Sequence, residues 1–181
     1  MAAWSAAGLP LDATPVAVAP STFEPRIDES LIATREQTLA AFGAGNARLV
    51  DARPAEYFRG ETRHQAAKWP GTLTSAVIVE HSSWFKPGTA TFVTPAEAQR
   101  IAADRPIDPS RDTISFCNAG HGAATNWFAL SEVLGQQHVK LYAGSMVDWT
   151  QSPELPPMDN VPGRYDQLVI HWKLWVDRTF N

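Results

Sequence analysis

Four short runs of apolar, largely β-branched residues recur along the middle of the chain. They occupy residues 47–51, 76–79, 113–116 and 139–142. Continuous runs of this length are typical of strands that are buried on both faces of a parallel sheet. Because segments with a helical pattern lie between them, the sequence predicts an α/β fold in which an open parallel sheet is flanked by helices.

Two of the intervening helices carry clear start signals. Thr34 with Gln37, and Thr94 with Glu97, have the residue types and the spacing of a capping box. Pro95 follows Thr94 directly, and proline is favoured at the first position of a helix. The sequence therefore predicts helices that begin after Thr34 and after Thr94.

Two further helices are predicted later in the chain. One runs from about residue 122 to 134 and ends at Gly135. The other follows Pro162, where apolar side chains recur at helical spacing, and we expect it to pack on the domain or on a neighbouring domain. Its apolar face comprises Tyr165, Leu168, Val169, Trp172 and Val176, with Trp175 and Phe180 close to the same face.

The composition of the chain changes near its two ends. Residues 11–25 are rich in Ala, Pro, Thr and Ser and have no sustained period, which is typical of a linker. We therefore divide the chain into residues 1–25, a linker or the remnant of an upstream domain, a central domain at 26–160, and a C-terminal amphipathic helix at 161–181. A partial sequence repeat between residues 1–10 and 146–156 has two explanations, coincidence or the loss of an upstream copy.

Charge and composition exclude several classes of function. The net charge of −4 provides no broad basic surface, so we expect no nucleic-acid partner. The start lacks the pattern of a secretory signal, and no run approaches roughly 18 apolar residues, so we expect no transmembrane segment. These features favour a soluble cytoplasmic protein, or a periplasmic one if a signal precedes this sequence.

The sequence predicts neither a metal site nor a cofactor. The single cysteine, Cys117, cannot form an intramolecular disulfide, and by itself it cannot form a structural zinc site. The histidines outside its immediate neighbourhood are scattered without metal-ligand spacing, and they are His64, His81, His138 and His171.

Cys117 lies at the most informative position of the chain. It follows the run at 113–116 and precedes a loop with two glycines, Gly120 and Gly122, after which a helix is predicted. A strand, a tight loop and a helix in this order direct backbone N–H groups towards an anion above the loop. Such a site favours the thiolate, and His121 would add to this if it were protonated and close. The alternative is a buried, inert cysteine.

Four sequence features, in this order, resemble the rhodanese family. They are LVDAR at 49–53 with FRGE at 58–61, PGTL at 70–73, CNAGHG at 117–122 and LYAGSMVDW at 141–149. The resemblance covers about residues 30–157. It implies a five-stranded parallel sheet and makes residues 26–160 a rhodanese-like catalytic domain of the C-terminal type found in tandem rhodaneses.

The resemblance also implies roles for individual residues. Cys117 would carry sulfur as a persulfide, and the backbone N–H groups of the loop residues Asn118, Ala119, Gly120, His121 and Gly122 would bind that persulfide. Asp51 and Arg53 would support the loop, either as part of the site or only as a structural ion pair. Many tandem rhodaneses have a donor-binding arginine where this chain has Tyr57, and Arg59 lies nearby but out of register.

The function implied is that of a thiosulfate or 3-mercaptopyruvate type sulfurtransferase. Its partners would be a small sulfur donor and a thiol or cyanide acceptor. One alternative is a non-catalytic or regulatory rhodanese-like binding module, favoured by the absence of the arginine at Tyr57. A phosphatase or arsenate reductase is disfavoured because such enzymes have a longer cysteine loop that ends in arginine, whereas Ala123 follows Gly122 here.

Overall fold

The computed structural model describes residues 2–105, 107–154 and 156–180, and it confirms an α/β fold. In chain order the strands are β1 (Ala47–Asp51), β2 (Thr72–Leu73), β3 (Val77–Ile78), β4 (Asp112–Phe116), β5 (Val139–Leu141) and β6 (Met158–Asp159). The main sheet is parallel throughout and has the order β3-β1-β4-β5. The short strands β2 and β6 form a separate antiparallel pair.

Seven α-helices occur in the described part of the chain. They are α1 (Ala2–Ala6), α2 (Arg35–Ala44), α3 (Ala55–Phe58), α4 (Pro95–Ala103), α5 (His121–Phe128), α6 (Ser145–Trp149) and α7 (Arg164–Phe180). Short 3-10 turns occur at Glu29–Leu31 and His81–Trp84, and α5 continues into one π-helical turn at Ala129–Val133.

The main sheet has four strands where the family resemblance implies five. The fifth position, beside β5, is occupied by a single bridge between Ile32 and Leu141, next to which Ala33 donates its N–H to Leu141 O at 2.9 Å. The chain cannot extend further here, because the 3-10 turn ends at Leu31 and α2 is capped at Thr34. The expected strand is therefore reduced to one bridge.

Both predicted capping boxes are present. Thr34 Oγ1 accepts from Gln37 N–H, and Gln37 Oε1 accepts from Thr34 N–H at 2.9 Å. Thr94 and Glu97 form the same reciprocal pair at the start of α4. Each box satisfies backbone donors that have no partner within the helix, which fixes where α2 and α4 begin.

The core lies on both faces of the main sheet. Leu49 and Val50 are adjacent in β1 and point to opposite faces. The cluster containing Leu49 also includes Leu73, Ile114, Phe116, Tyr142, Met146 and Trp149. The cluster containing Val50 includes Val79, Trp84, Ala98, Ile107, Ala129, Leu130 and Val139. This two-sided burial explains why the strands are apolar runs rather than alternating ones.

The C-terminal helix is observed at Arg164–Phe180, and most of its predicted apolar face does not pack on the domain. The alternative expectation, packing on a neighbouring domain, stays a prediction. Tyr165, Leu168 and Trp172 are 77%, 69% and 62% exposed. Ile170 is the buried residue of α7, and it lies on another side of the helix. Residues 9–28, which include most of the predicted linker, are exposed and contain no helix or strand. None of the described helices combines the length and the apolar character needed to cross a membrane.

Candidate active site

Cys117 is the first residue after β4, at the carboxyl end of a central strand. Its side chain is buried, and its backbone is bonded on both sides to the segment that ends β5 and begins α6. Its N–H donates to Ser145 Oγ at 2.9 Å, and its carbonyl accepts from Met146 N–H at 3.1 Å. These bonds fix the start of the loop relative to a second strand end.

Ser145 connects Cys117 to the sheet through one hydroxyl group. Its Oγ donates to Tyr142 O at 2.8 Å while it accepts from Cys117, and it lies 4.0 Å from Cys117 Sγ. Ser145 is buried and has a φ of 53°, in the left-handed region that few non-glycine residues adopt. Backbone strain held by buried contacts is common at functional sites.

The loop from Asn118 to Gly122 leaves its own donors available. Asn118 O accepts from Val147 N–H at 3.0 Å, and this bond attaches the loop to α6. The N–H groups of Asn118, Ala119, Gly120, His121 and Gly122 donate to no residue in the part of the chain that the structure describes. Because α5 begins at His121, these groups include the free donors of a helix start. Free N–H groups at a helix start are suited to binding an anion.

Gly120 is required by the shape of this loop. Its φ is 90°, and a Cβ there would lie 3.1 Å from Ala143 O. Both observations favour glycine, because an L side chain would be strained by the backbone conformation and crowded by its neighbour. The loop therefore depends on close approach between two backbone segments.

Asp51 and Arg53 lie at the same edge of the sheet and form a buried ion pair. Asp51 is opposite Phe116 in the register, and Ala52 N–H donates to Phe116 O at 2.9 Å. Arg53 Nη2 is 2.6 Å from Asp51 Oδ2, and the side chains are 2% and 0% exposed.

Both charged groups of this pair have further hydrogen bonds within the protein. Thr72 donates to Asp51 at 2.7 Å, and Arg53 donates to Gly71 O at 2.7 Å. The ring of Tyr57 lies 5.8 Å from Arg53 Cζ. The geometry supports the structural alternative for Asp51 and Arg53, because both charges are already bonded within the protein.

No hydrogen bond or ion pair joins Arg59 to the loop among the described residues. Its side chain is 55% exposed and pairs with Glu61 at 2.6 Å. The carboxylate of Glu61 raises the pKa of Arg59 above its usual range. This pairing differs from what is expected of a group that binds the donor next to Cys117.

Two residues near Cys117 were missed by the sequence analysis, namely Ser145 and His81. His81 begins the 3-10 turn after β3, and its Nδ1 lies 2.9 Å from Ala52 O. A Cβ on Gly122 would lie 3.2 Å from His81 Nδ1 and 3.6 Å from Cys117 Cβ. One signal was available: His81 closely follows the apolar run at 76–79, and neighbouring parallel strands end at the same edge of a sheet.

A polar network supports the segment that carries Ser145. Arg35 forms an ion pair with Asp148, and Tyr142 Oη donates to Asp148 Oδ2 at 2.5 Å. The hydrogen bond from Arg35 lowers the pKa of Asp148. Burial, together with the neighbouring Asp148 carboxylate, raises the pKa of Tyr142.

The last of the predicted loop side chains, His121, is exposed at the first position of α5. Among the described residues, no group of three or more His, Cys, Asp and Glu side chains is arranged to hold a metal ion.

The fold and the site define a class of α/β proteins that present a cysteine on a loop of free amides at the end of a central parallel strand.

The comparisons with known proteins identify the family. The model of the Rhodanese-like domain family matches residues 34–152, and the chain belongs to this family. The chain is 33% identical over 158 residues to a Mycobacterium bovis protein named "Putative thiosulfate sulfurtransferase 1", a match that covers 82% of the chain and 54% of that protein. It is 32% identical over 163 residues to a Pseudomonas aeruginosa protein named "Probable 3-mercaptopyruvate sulfurtransferase", covering 86% and 54%.

Solved structures share this fold. The crystal structure of SseA from Escherichia coli, a 3-mercaptopyruvate sulfotransferase, superposes with a TM-score of 0.69 at 25% identity and covers 80% of this chain and 53% of SseA. Tum1 from Saccharomyces cerevisiae superposes with a TM-score of 0.74 at 23% identity, covering 88% and 59%. The chain thus spans about half the length of the relatives that it matches.

Proposed function

We propose that this chain is a sulfurtransferase in which Cys117 carries sulfane sulfur as a persulfide from a small donor to a thiol or cyanide acceptor. The donor would be of the thiosulfate or 3-mercaptopyruvate type. The observation that carries the proposal is the set of N–H groups from Asn118 to Gly122, which begins directly after Cys117 and has no acceptor within the described part of the chain. A persulfide has its negative charge on the outer sulfur, so it is stabilised by several amide donors and needs no metal.

The proposed reaction has two steps. The Cys117 thiolate attacks the outer sulfur of thiosulfate, a new S–S bond forms, and the sulfur–sulfur bond of the donor breaks, with its electron pair leaving on sulfite. An acceptor nucleophile then attacks the outer sulfur of the persulfide, and the electron pair of the Cys117–sulfur bond returns to Sγ. Ser145 would hold the Cys117 backbone fixed through both steps, because its Oγ accepts from the Cys117 N–H.

A second candidate is a binding module that uses the same fold without turnover. Two observations favour it. Tyr57 occupies the position where many tandem rhodaneses have a donor-binding arginine, and its ring lies over Arg53. The nearby Arg59 is already paired with Glu61. An upstream rhodanese-like domain could supply the missing donor-binding groups, since the match to this chain covers only 54% of each of these two relatives.

Intact-protein mass spectrometry tests the proposal directly. Because the chain has one cysteine, incubation with thiosulfate or 3-mercaptopyruvate should add the mass of one sulfur atom at Cys117 alone. The Cys117→Ala variant should not gain this mass or transfer sulfur to cyanide. Persulfide formation without acceptor turnover would favour the binding module, and unchanged turnover by Cys117→Ala would exclude sulfur transfer through this residue.

A further inference from the structure

His81 is a side chain beside the cysteine loop to which the proposed reaction assigns no role. Its ring packs against Gly122, because a Cβ there would lie 3.2 Å from Nδ1 and 3.3 Å from Cγ of His81. The same point lies 3.6 Å from Cys117 Cβ. The ring of His81 and the Cβ of Cys117 therefore both lie next to Gly122, and the absence of a side chain there allows the ring to pack this close to the cysteine loop.

The hydrogen bonding of His81 determines which nitrogen is free. Ala52 O lies 2.9 Å from Nδ1, and a carbonyl oxygen only accepts, so Nδ1 carries a proton and donates it. In the neutral ring the lone pair is then on Nε2. Among the described residues, none forms a hydrogen bond or an ion pair with Nε2, and the side chain is only partly buried.

The other groups around Cys117 are poorly suited to accept a proton. Asp51 is fully buried, and its carboxylate is already bonded to Arg53 and Thr72. Ser145 Oγ donates to Tyr142 O and is not basic. His121 is exposed at the start of α5, where no described contact fixes its ring. His81 is the imidazole whose orientation is fixed next to the loop.

We propose that His81 Nε2 is the base that deprotonates a thiol acceptor, and that the natural acceptor of this site is therefore a thiol. This inference rests on the proposed sulfurtransferase function. The acceptor R–SH gives its proton to Nε2, and its sulfur attacks the outer sulfur of the Cys117 persulfide. The new S–S bond forms as the Cys117–sulfur bond breaks, with that electron pair returning to Sγ. The products are R–S–SH and reduced Cys117, once the proton has left His81.

The test compares acceptors that do and do not need a base. The persulfide of Cys117 is formed first, and its decay is then measured in single turnover with two kinds of acceptor at mildly alkaline pH. One is sulfite, which is fully deprotonated at this pH and needs no base, and the other is a set of aliphatic thiols. The His81→Asn variant keeps an amide N–H for Ala52 O but lacks the basic nitrogen. We expect its rate with thiols to fall by about 10²-fold, while the rate with sulfite changes by less than about twofold.

A graded set of thiols sharpens the result. A thiol of low pKa is already largely ionised and gains little from a base, so the loss in His81→Asn should shrink as the pKa of the acceptor falls. His138→Asn is the matched control, since His138 is 67% exposed and lies near Asp112, at the opposite end of β4 from Cys117. It should behave as wild type with every acceptor.

Each outcome separates the inference from the proposed function. If the wild-type chain forms no persulfide, the proposed function is wrong. If His81→Asn loses activity equally with sulfite and with thiols, or with neither, His81 is only a packing residue and the inference is wrong. Should His81→Asn fail to fold, the wild-type protein provides a second test, because general-base catalysis predicts a solvent deuterium isotope effect with thiols and none with sulfite.

Discussion

The two central strands β1 and β4 end side by side, and the residues that follow them are organised in opposite ways. At the end of β1, the charges of Asp51 and Arg53 are buried and bonded to each other, to Thr72 and to Gly71. After β4, the loop from Asn118 to Gly122 is fixed through its carbonyls and through Ser145, while its N–H groups have no partner among the described residues. The charged groups at the β1 end thus have their hydrogen-bond partners within the protein, whereas the N–H groups after β4 are available to a ligand.

The two strand ends meet two different requirements of a functional site, rigidity and binding capacity. The β1 end supplies rigidity, since a buried ion pair held by several hydrogen bonds has few alternative arrangements. The β4 end supplies binding capacity, since free donors at a helix start gain most when an anion arrives. Substitutions at the β1 end should therefore affect unfolding most strongly, and those at the β4 end should affect sulfur transfer most strongly.

The largest expected effect on stability is at the β1 end. Asp51→Asn removes the charge that compensates the buried Arg53 guanidinium, and it should lower the free energy of unfolding by about 3–5 kcal/mol. Urea unfolding followed by circular dichroism measures this. Glu61→Gln, which breaks the exposed pair with Arg59, is the control and should leave the midpoint unchanged. A stable but inactive Asp51→Asn would instead place Asp51 in the reaction.

A smaller effect is expected where the β4 end is attached to α6. Ser145→Ala leaves the buried Cys117 N–H without its acceptor, which should cost about 1–3 kcal/mol, and persulfide formation should slow. Ser145→Gly removes the same hydroxyl but relieves the φ of 53°. If the glycine variant regains stability and not activity, the hydrogen bond matters for the reaction. Full activity in both variants would contradict the role of Ser145.

A still smaller effect on stability, with a clear effect on activity, is expected inside the loop. Gly122→Ala is compatible with a helix start and should change stability by less than about 1 kcal/mol. Its Cβ would, however, crowd His81 and Cys117, so sulfur transfer should fall several-fold. Gly43→Ala in α2, where nothing lies within 4 Å, is the control and should retain full activity. Equal losses of stability and activity would show that Gly122 is only a packing position.

The smallest expected effect is a change in how the stability of the protein depends on pH. The hydrogen bond from Arg35 holds the pKa of Asp148 below its ordinary value of 3.8, so its ionised form is favoured in the folded state. The resulting stability is fully present above pH 3.8 and is lost as the pH falls through the lowered pKa. Asp148→Asn should therefore be less stable than wild type near neutrality, with the difference shrinking in acid. An acid titration of unfolding measures it, and a pH-independent difference would contradict this assignment.

Local sequence signals predicted the strands and the helix starts. The apolar runs correspond to β1, β3, β4 and β5 within a residue or two, and both capping boxes are present. These features depend on residues close together in the chain, so a pattern in the sequence contains the necessary information. The cysteine loop is equally local, which is why its position between β4 and α5 could be predicted.

The contacts that complete the site are not local. Ser145 is bonded to Cys117 across a strand and a helix, and His81 meets Gly122 across the sheet edge. The reduction of the fifth strand to the Ile32 bridge, and the exposure of the apolar face of α7, also depend on tertiary packing. No period or motif specifies such contacts, although the shared edge of neighbouring strands indicated where to look for His81.

The register of the main sheet also affects how the protein reaches its native state. Residues 47–51 pair with residues 112–116, so the central pairing joins segments that are far apart in the sequence. Sheets of such high contact order fold slowly, because a long loop must close before the contacts form. Until β4 is paired, Cys117 is an ordinary accessible thiol without its amide loop. Refolding under oxidising conditions should therefore yield disulfide-linked dimers, and a reductant present throughout refolding should prevent them.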